Sequence, residues 1–231
     1  MSALSGRTVV VTGASSGIGE ALARELIGCG ARVIAAARSV DKLRALADEL
    51  GASLVPVPTD VADAASIERL AAAAGAVHIV VNNAGFGHVE PFLASDPARW
   101  RETLDTNLIG ALLITRAFLP GMLEAGRGLI VNVGSASTTG WPYLTVYAAS
   151  KAGLRAASVA LDREHAERGV RIQYVEIGPT GGTGFGMQSD PAHLLVATSA
   201  WTKLGIDWGT GVMPETSART IRTAIERALQ D

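Results

Sequence analysis

The chain has 231 residues, 48% of them hydrophobic and 18% charged, with a formal net charge of -2 and one cysteine. That balance excludes a disordered chain, a disulfide-stapled scaffold and a surface built to attract polyanions such as nucleic acid. The length suits one α/β domain over residues 1–231 rather than two.

In chain order, short β-branched runs alternate with stretches of helical periodicity. The predicted strands are Arg7–Thr12, Arg32–Ala37, Ser53–Pro58, Val77–Val81, Leu129–Val133 and Arg171–Ile177. Between them apolar residues recur at helical spacing, as in Ile18, Leu22 and Leu26, then Leu43, Leu46 and Leu50. Crossovers of this length demand parallel pairing and right-handed connections. The expected fold is therefore a three-layer, doubly wound α/β sheet in the strand order 3-2-1-4-5-6, with its ligand crevice where the order reverses.

Residues 178–212 break the alternation. They are rich in Gly, Thr and Pro, hold Trp201 and Trp208, and precede a final helix over Pro214–Leu229. An insert of this kind reads as a substrate-covering lobe. The opening MSALSGRTVVVTG has no basic region followed by a long apolar stretch, and no uninterrupted apolar run has bilayer length. A cytoplasmic protein without a membrane or nucleic-acid partner is expected. The lone Cys29 permits no intrachain disulfide.

Directly after the first strand stands Thr12-Gly13-Ala14-Ser15-Ser16-Gly17-Ile18-Gly19, opening into a helix. A backbone that must turn tightly and approach a diphosphate needs glycine, because a Cβ blocks both, and the free amides of the helix start supply donors. At the end of the second strand, where an NAD site places a carboxylate, the sequence has Ala37 followed by Arg38. A guanidinium grips a ribose 2′-phosphate with paired hydrogen bonds, which favours NADP(H), and Ser39 can add another.

Tyr147 and Lys151 stand four residues apart at a helix start in VYAASKAGL, so they share one face. A nearby ammonium favours the phenolate and is expected to bring the tyrosine pKa toward a useful range. The pair follows the strand and polar loop LIVNVGSAS, whose carboxyl end faces the crevice.

The ordered set TGASSGIG, the NNAG of Asn82–Gly85, Asn107 within DTNLIG, VNVGSAS and YAASK resembles the short-chain dehydrogenase/reductase family over residues 6–183. The resemblance implies a Rossmann fold and an NADP(H)-dependent oxidoreductase that interconverts a ketone or aldehyde and an alcohol. It implies Tyr147 as general acid and base, Lys151 as the residue holding the nicotinamide ribose and lowering the tyrosine pKa, Ser135 as the donor polarising the substrate oxygen, and Asn107 as the anchor of a water. Gly13, Ser15, Ser16, Gly17, Ile18 and Gly19 correspond to the diphosphate loop, Asp60 and Val61 to the pair on the adenine, and Asn83, Ala84 and Gly85 to the turn beside the cofactor. Pro179, Thr180 and Thr183 correspond to groups near the carboxamide or diphosphate.

Two departures stand out. The spacing from Ser135 to Tyr147 is one residue shorter than the family pattern, which leaves Ser137 as the alternative polarising hydroxyl, with Ser135 preferred. The proline-glycine pair after the sixth strand appears as Ile177-Gly178-Pro179. The chain also ends after a helix, without the seventh strand that contributes to family tetramers, so a tetramer is doubtful and a homodimer through the helices beginning near Arg99 and Tyr147 is expected.

No metal is expected, since His78, His88, His165 and His193 lack ligand spacing and read as structural or surface residues. Trp141, Tyr143, Trp201 and Trp208 either line an apolar pocket or pack as core. Two other readings are a dinucleotide-binding sensor or scaffold, marked by loss of the tyrosine or lysine, and a lyase-type relative, marked by a remodelled loop and arginine for lysine.

Overall fold

The computed structural model describes residues 2–209 and 211–230. Six strands form one parallel sheet in the order β3-β2-β1-β4-β5-β6. They are β1 (Thr8–Thr12), β2 (Arg32–Ala37), β3 (Leu54–Pro58), β4 (Ile79–Asn82), β5 (Gly128–Val133) and β6 (Val170–Val175). The expected architecture and strand order are those observed.

The period-two alternation of β-branched residues divides the core into two layers. Val9, Val11, Val33, Ala35, Leu129 and Val131 face one side, with α1 (Gly17–Gly28), α2 (Val40–Leu50) and α8 (Pro214–Ala228) packed on them. Val10, Ile34, Val80, Ile130 and Ile172 face the other, against α3 (Ala64–Ala74) and α5 (Ala111–Glu124). Both faces are covered, as a parallel sheet requires.

Strand ends shift where pairing, rather than composition, decides them. Ile177 was expected to close the last strand, but regular pairing ends with Val133 opposite Val175, where both strands stop. The chain then stays tethered by Ala136 N–H donating to Ile177 O at 2.9 Å.

The second half holds two features that periodicity did not show. Between α4 (Pro97–Leu104) and α5 the helix widens into a π-helical segment over Asp105–Gly110. Inside the lobe, α7 (Pro191–Lys203) forms behind Asp190, whose side chain accepts the Ala192 N–H, and Pro191 starts its first turn.

The continuous helical run Pro97–Glu124 has a mean hydropathy of 1.4 over 18 residues, enough by length and composition alone for a bilayer span, although Asp105, Asn107 and Arg116 interrupt its apolar residues. Buried Ala111, Ile114, Thr115, Phe118 and Met122 account for that apolarity as a sheet-facing stripe.

Because all strands run parallel, their carboxyl ends meet along one edge, and β1 and β4 mark the reversal of strand order. The motifs singled out in the sequence lie on that edge, on α6 (Thr145–His165) beside it, or, for Asn107, in the π-helical segment before α5.

Candidate active site

Gly13 and Gly17 adopt φ of +69° and +56°, where a side chain is strained. A Cβ on Gly19 would lie 2.3 Å from Gly13 O, and one on Gly13 would lie 2.9 Å from Ala84 Cα. The glycines therefore let the β1–α1 turn close on itself and on the turn after β4. Ser16 at the N-cap of α1 makes no side-chain cap, leaving the first-turn amides, Ile18 and Gly19 included, facing the crevice. Ser15 is half-buried and Ser16 exposed.

The turn after β4 is tied to the same loop. Asn83 and Ala84 N–H both donate to Thr12 Oγ1 at 3.0 Å, and Asn83 Nδ2 donates to Thr12 O at 2.9 Å. Asn82 points the opposite way, into the core, where Nδ2 donates to Asn132 Oδ1 at 2.8 Å.

Arg38 is exposed just past the end of β2, and among the described residues nothing neutralises its guanidinium. Ser39 is exposed beside it as the N-cap of α2, with no side-chain cap. Asp60 follows β3 and accepts the Ala62 N–H at 3.0 Å, while Val61 is buried with its carbonyl under Gly110. With the glycine turn, these residues lie in the loops that follow β1, β2 and β3, along the carboxyl edge of the sheet, with a cationic group at Arg38.

On α6, Tyr147 and Lys151 lie one turn apart, as expected. Ser135, just past the carboxyl end of β5, lies near enough to the Tyr147 hydroxyl to lower its pKa. Ser135 Oγ lies 3.0 Å from Ser137 Oγ and accepts the Ser137 N–H at 3.2 Å. Ser137 is buried behind Ser135, so Ser135 presents its hydroxyl to the tyrosine.

The electrostatics depart from the expectation of an acidified phenol. Burial pushes the Tyr147 pKa up to about 12, against the lowering effect of nearby Ser135. Burial lowers the Lys151 pKa to about 8. Lys151 Nζ donates to Val133 O at 2.8 Å, so its ammonium is held on the strand end and does not offset the burial of the phenol. In this state Tyr147 is a protonated acid ready to donate.

Asn107 occupies the π-helical segment. Its Oδ1 accepts the Phe86 N–H at 3.0 Å, and its Nδ2 donates to Phe86 O at 2.8 Å and Ser150 Oγ at 3.1 Å. Gly85 sits between Asn107 Oδ1 and Lys151 Nζ, so no side chain separates the two. A π-bulge at a working residue is a recurring pattern, and apolar spacing alone does not reveal it.

The lobe covers the tyrosine. The Phe185 ring lies 4.8 Å from that of Tyr147, and Gly87 packs against both. Trp201 Nε1 donates to Pro142 O at 2.8 Å and packs with Val89, Leu144 and Ala197, so Trp201 anchors the lobe rather than lining a pocket. Tyr143, at the rim, has φ of +66°, an uncommon strain beside a site. Thr183 packs on Gly17, over the glycine turn, whereas the Thr180 hydroxyl turns away to Ser217 on α8 at 2.7 Å. Pro179 accepts the Val212 N–H through its carbonyl at 3.0 Å, closing the base of the lobe.

Sequence reasoning missed Gly87, His88, Tyr174 and Phe185. The first two follow NNAG directly, which placed them near the crevice but assigned them no chemistry. Among the described residues no cluster of His, Cys, Asp or Glu could hold a metal ion.

A family model described as short chain dehydrogenase matches residues 7–193. The NADP-dependent 3-hydroxy acid dehydrogenase YdfG of Escherichia coli is 40% identical over 184 residues, covering 77% of this chain and 74% of that protein. The 3-oxoacyl-[acyl-carrier-protein] reductase FabG of Escherichia coli is 37% identical over 178 residues, with 75% and 73% covered. Among solved structures, the closed form of a serine dehydrogenase complexed with NADP+ superimposes with a TM-score of 0.83 at 34% identity, covering 94% of this chain and 88% of that one.

Proposed function

Because the chain belongs to the short-chain dehydrogenase family, we propose that it interconverts a ketone or aldehyde and the corresponding alcohol, with Tyr147 passing the proton. It is an NADP-dependent enzyme of that family. The residues present fit the dinucleotide: the glycine turn would be filled by any Cβ at Gly19, and an unneutralised Arg38 stands where the 2′-phosphate of the adenosine ribose belongs. When bound, NADP(H) supplies or accepts the hydride at the reacting carbon.

The chain's own residues do the rest. Ser135 donates to the substrate oxygen and orients it toward Tyr147, which delivers its phenolic proton in reduction and takes one up in oxidation. Lys151, one turn along α6, would hold the ribose side of the bound cofactor and supply the positive charge beside it. Phe185 and the 178–212 lobe exclude water from the phenol. The observation that supports this reading most directly is that Ser135, past the end of β5, and Tyr147, on α6, lie close enough for the serine to act on the phenol.

A panel of aldehydes and ketones, read by loss of NADPH absorbance beside Tyr147→Phe, tests the reading. Turnover that survives the substitution would remove Tyr147 from it. We place the enzyme in the cytoplasm, in keeping with the lone Cys29. We also propose a homodimer through α5 and α6, whose outer faces form a groove lined by Leu112, Leu119, Leu123 and Leu161 with Arg116 and Arg168 at its edge. Light scattering on the purified protein decides that point.

A further inference from the structure

Ser135 is fixed at every polar group but one. Its N–H donates to the Tyr174 hydroxyl at 3.1 Å, and its carbonyl accepts the Thr138 N–H at 3.3 Å and the Thr138 hydroxyl at 3.1 Å. The next residue is held too, by the Ala136 N–H donating to Ile177 O at 2.9 Å. What the backbone leaves open is the direction in which the Ser135 hydroxyl points its hydrogen.

Ser137 settles that direction. It is 2% exposed, so its hydroxyl hydrogen needs an acceptor inside the protein. Among the described residues the one hydrogen-bond partner of Ser137 Oγ is Ser135 Oγ, at 3.0 Å. Were Ser135 the donor across that contact, the buried Ser137 hydrogen would be left without an acceptor, a cost that the opposite direction avoids. The Ser137 hydroxyl therefore donates.

The Ser137 N–H donates to the same oxygen at 3.2 Å. A hydroxyl oxygen has two acceptor sites and one hydrogen, so Ser135 Oγ is then full as an acceptor. It cannot take the Tyr147 proton, and its own hydrogen is left for a group from outside the chain.

We propose that Ser137 is a positioning residue: its hydroxyl and its N–H together fill both acceptor sites of Ser135 Oγ, which commits the Ser135 hydrogen to the substrate oxygen and leaves the Tyr147 hydrogen for the same oxygen. The inference rests on the reading of Ser135 as the hydroxyl that polarises the substrate. The second serine of SAS thus serves the first rather than replacing it.

The test is a double-mutant cycle of Ser135→Ala and Ser137→Ala, read by thermal unfolding and by turnover of 4-nitrobenzaldehyde with NADPH. Ser135→Ala strands the buried Ser137 hydrogen and lowers Tm by at least about 2 °C, and adding Ser137→Ala removes the stranded group and recovers part of the loss. This arm needs no substrate. In turnover, Ser137→Ala lowers kcat about fivefold with KM for NADPH within about twofold, because Ser135 regains an acceptor site for the Tyr147 proton. In the Ser135→Ala background the same substitution changes kcat by less than about twofold, whereas a merely structural role would slow both backgrounds alike.

A double variant no more stable than Ser135→Ala, a Ser137→Ala enzyme with wild-type kcat, or equal losses in both backgrounds each overturn the proposal. If Tm follows the expected pattern while Ser135→Ala turns over like wild type, the reading of Ser135 falls and the positioning role with it. If Ser135→Ala is slow and Ser137→Ala is not, the positioning role alone falls.

Discussion

The Tyr174 hydroxyl accepts the backbone N–H of Ser135 at 3.1 Å, so a tyrosine on β6 holds the strand end that carries the candidate polarising serine. Gly134 makes this possible, because a Cβ there would lie 2.1 Å from the Tyr174 ring. Removing the hydroxyl leaves the Ser135 amide without its partner. Tyr174→Phe is expected to cost about 1 kcal/mol of stability and to lower kcat several-fold with little change in NADPH affinity. Urea unfolding and steady-state kinetics read the two effects, and a loss confined to cofactor affinity would contradict the positioning role.

The choice between the two serines follows from burial. Ser137 is buried, and Ser135 is the serine whose proximity lowers the Tyr147 pKa. Ser135→Ala is therefore expected to reduce kcat by about a hundredfold, on the scale of one lost oxyanion donor, and Ser137→Ala by far less. The reverse ranking in the same assay would assign the role to Ser137.

Lys151 links activity to pH through its burial. Its pKa falls from 10.5 to about 8, so the folded protein releases this proton before the unfolded chain does. Between those values the unfolded state binds more protons, and the stability contributed by this group rises with pH. Below about pH 8 the folded state bears the cost of a buried ammonium, on the order of 3 kcal/mol. Lys151→Met should be at least as stable as wild type near pH 7 and lack this pH-dependent gain, while turnover drops about a hundredfold. Thermal unfolding over a pH series checks the sign.

Arg38 stands exposed with no ion-pair partner among the described residues, at the end of β2 where we propose the adenosine ribose substituent is selected. Arg38→Asp repels a 2′-phosphate and offers acceptors to ribose hydroxyls. The expected outcome is at least about a tenfold loss in kcat/KM for NADPH, with NADH unchanged or improved. An unchanged NADPH to NADH ratio would remove Arg38 from cofactor choice.

Gly87 touches the catalytic candidate itself. A Cβ there would lie 2.7 Å from Tyr147 Cδ2 and 2.9 Å from Phe185 Cε2. Gly87→Ala must push one ring aside, and a displacement near 1 Å at a reacting group costs about a hundredfold in rate. NADPH affinity should stay near wild type, since the glycine turn is untouched. Fluorescence titration beside kcat separates the two.

The strands, the helix faces and the order of the motifs were legible in the amino-acid sequence because each depends on spacing along the backbone. The glycine turn at Gly13–Gly19 and the shared face of Tyr147 and Lys151 depend on neighbours within a few residues, and local stereochemistry settles them. Parallel pairing followed from crossover length, and the strand order then brought the motif loops to one edge. What non-local packing decided is the partner of each polar group. Lys151 meets Val133 O rather than the phenol, Tyr174 reaches Ser135, Asn107 sits in a π-turn to grip Phe86, and both ring nitrogens of His88 are buried without a partner. Those contacts join residues on different elements, whose separation is set by sheet register and helix docking, and hydrophobic periodicity carries no record of either.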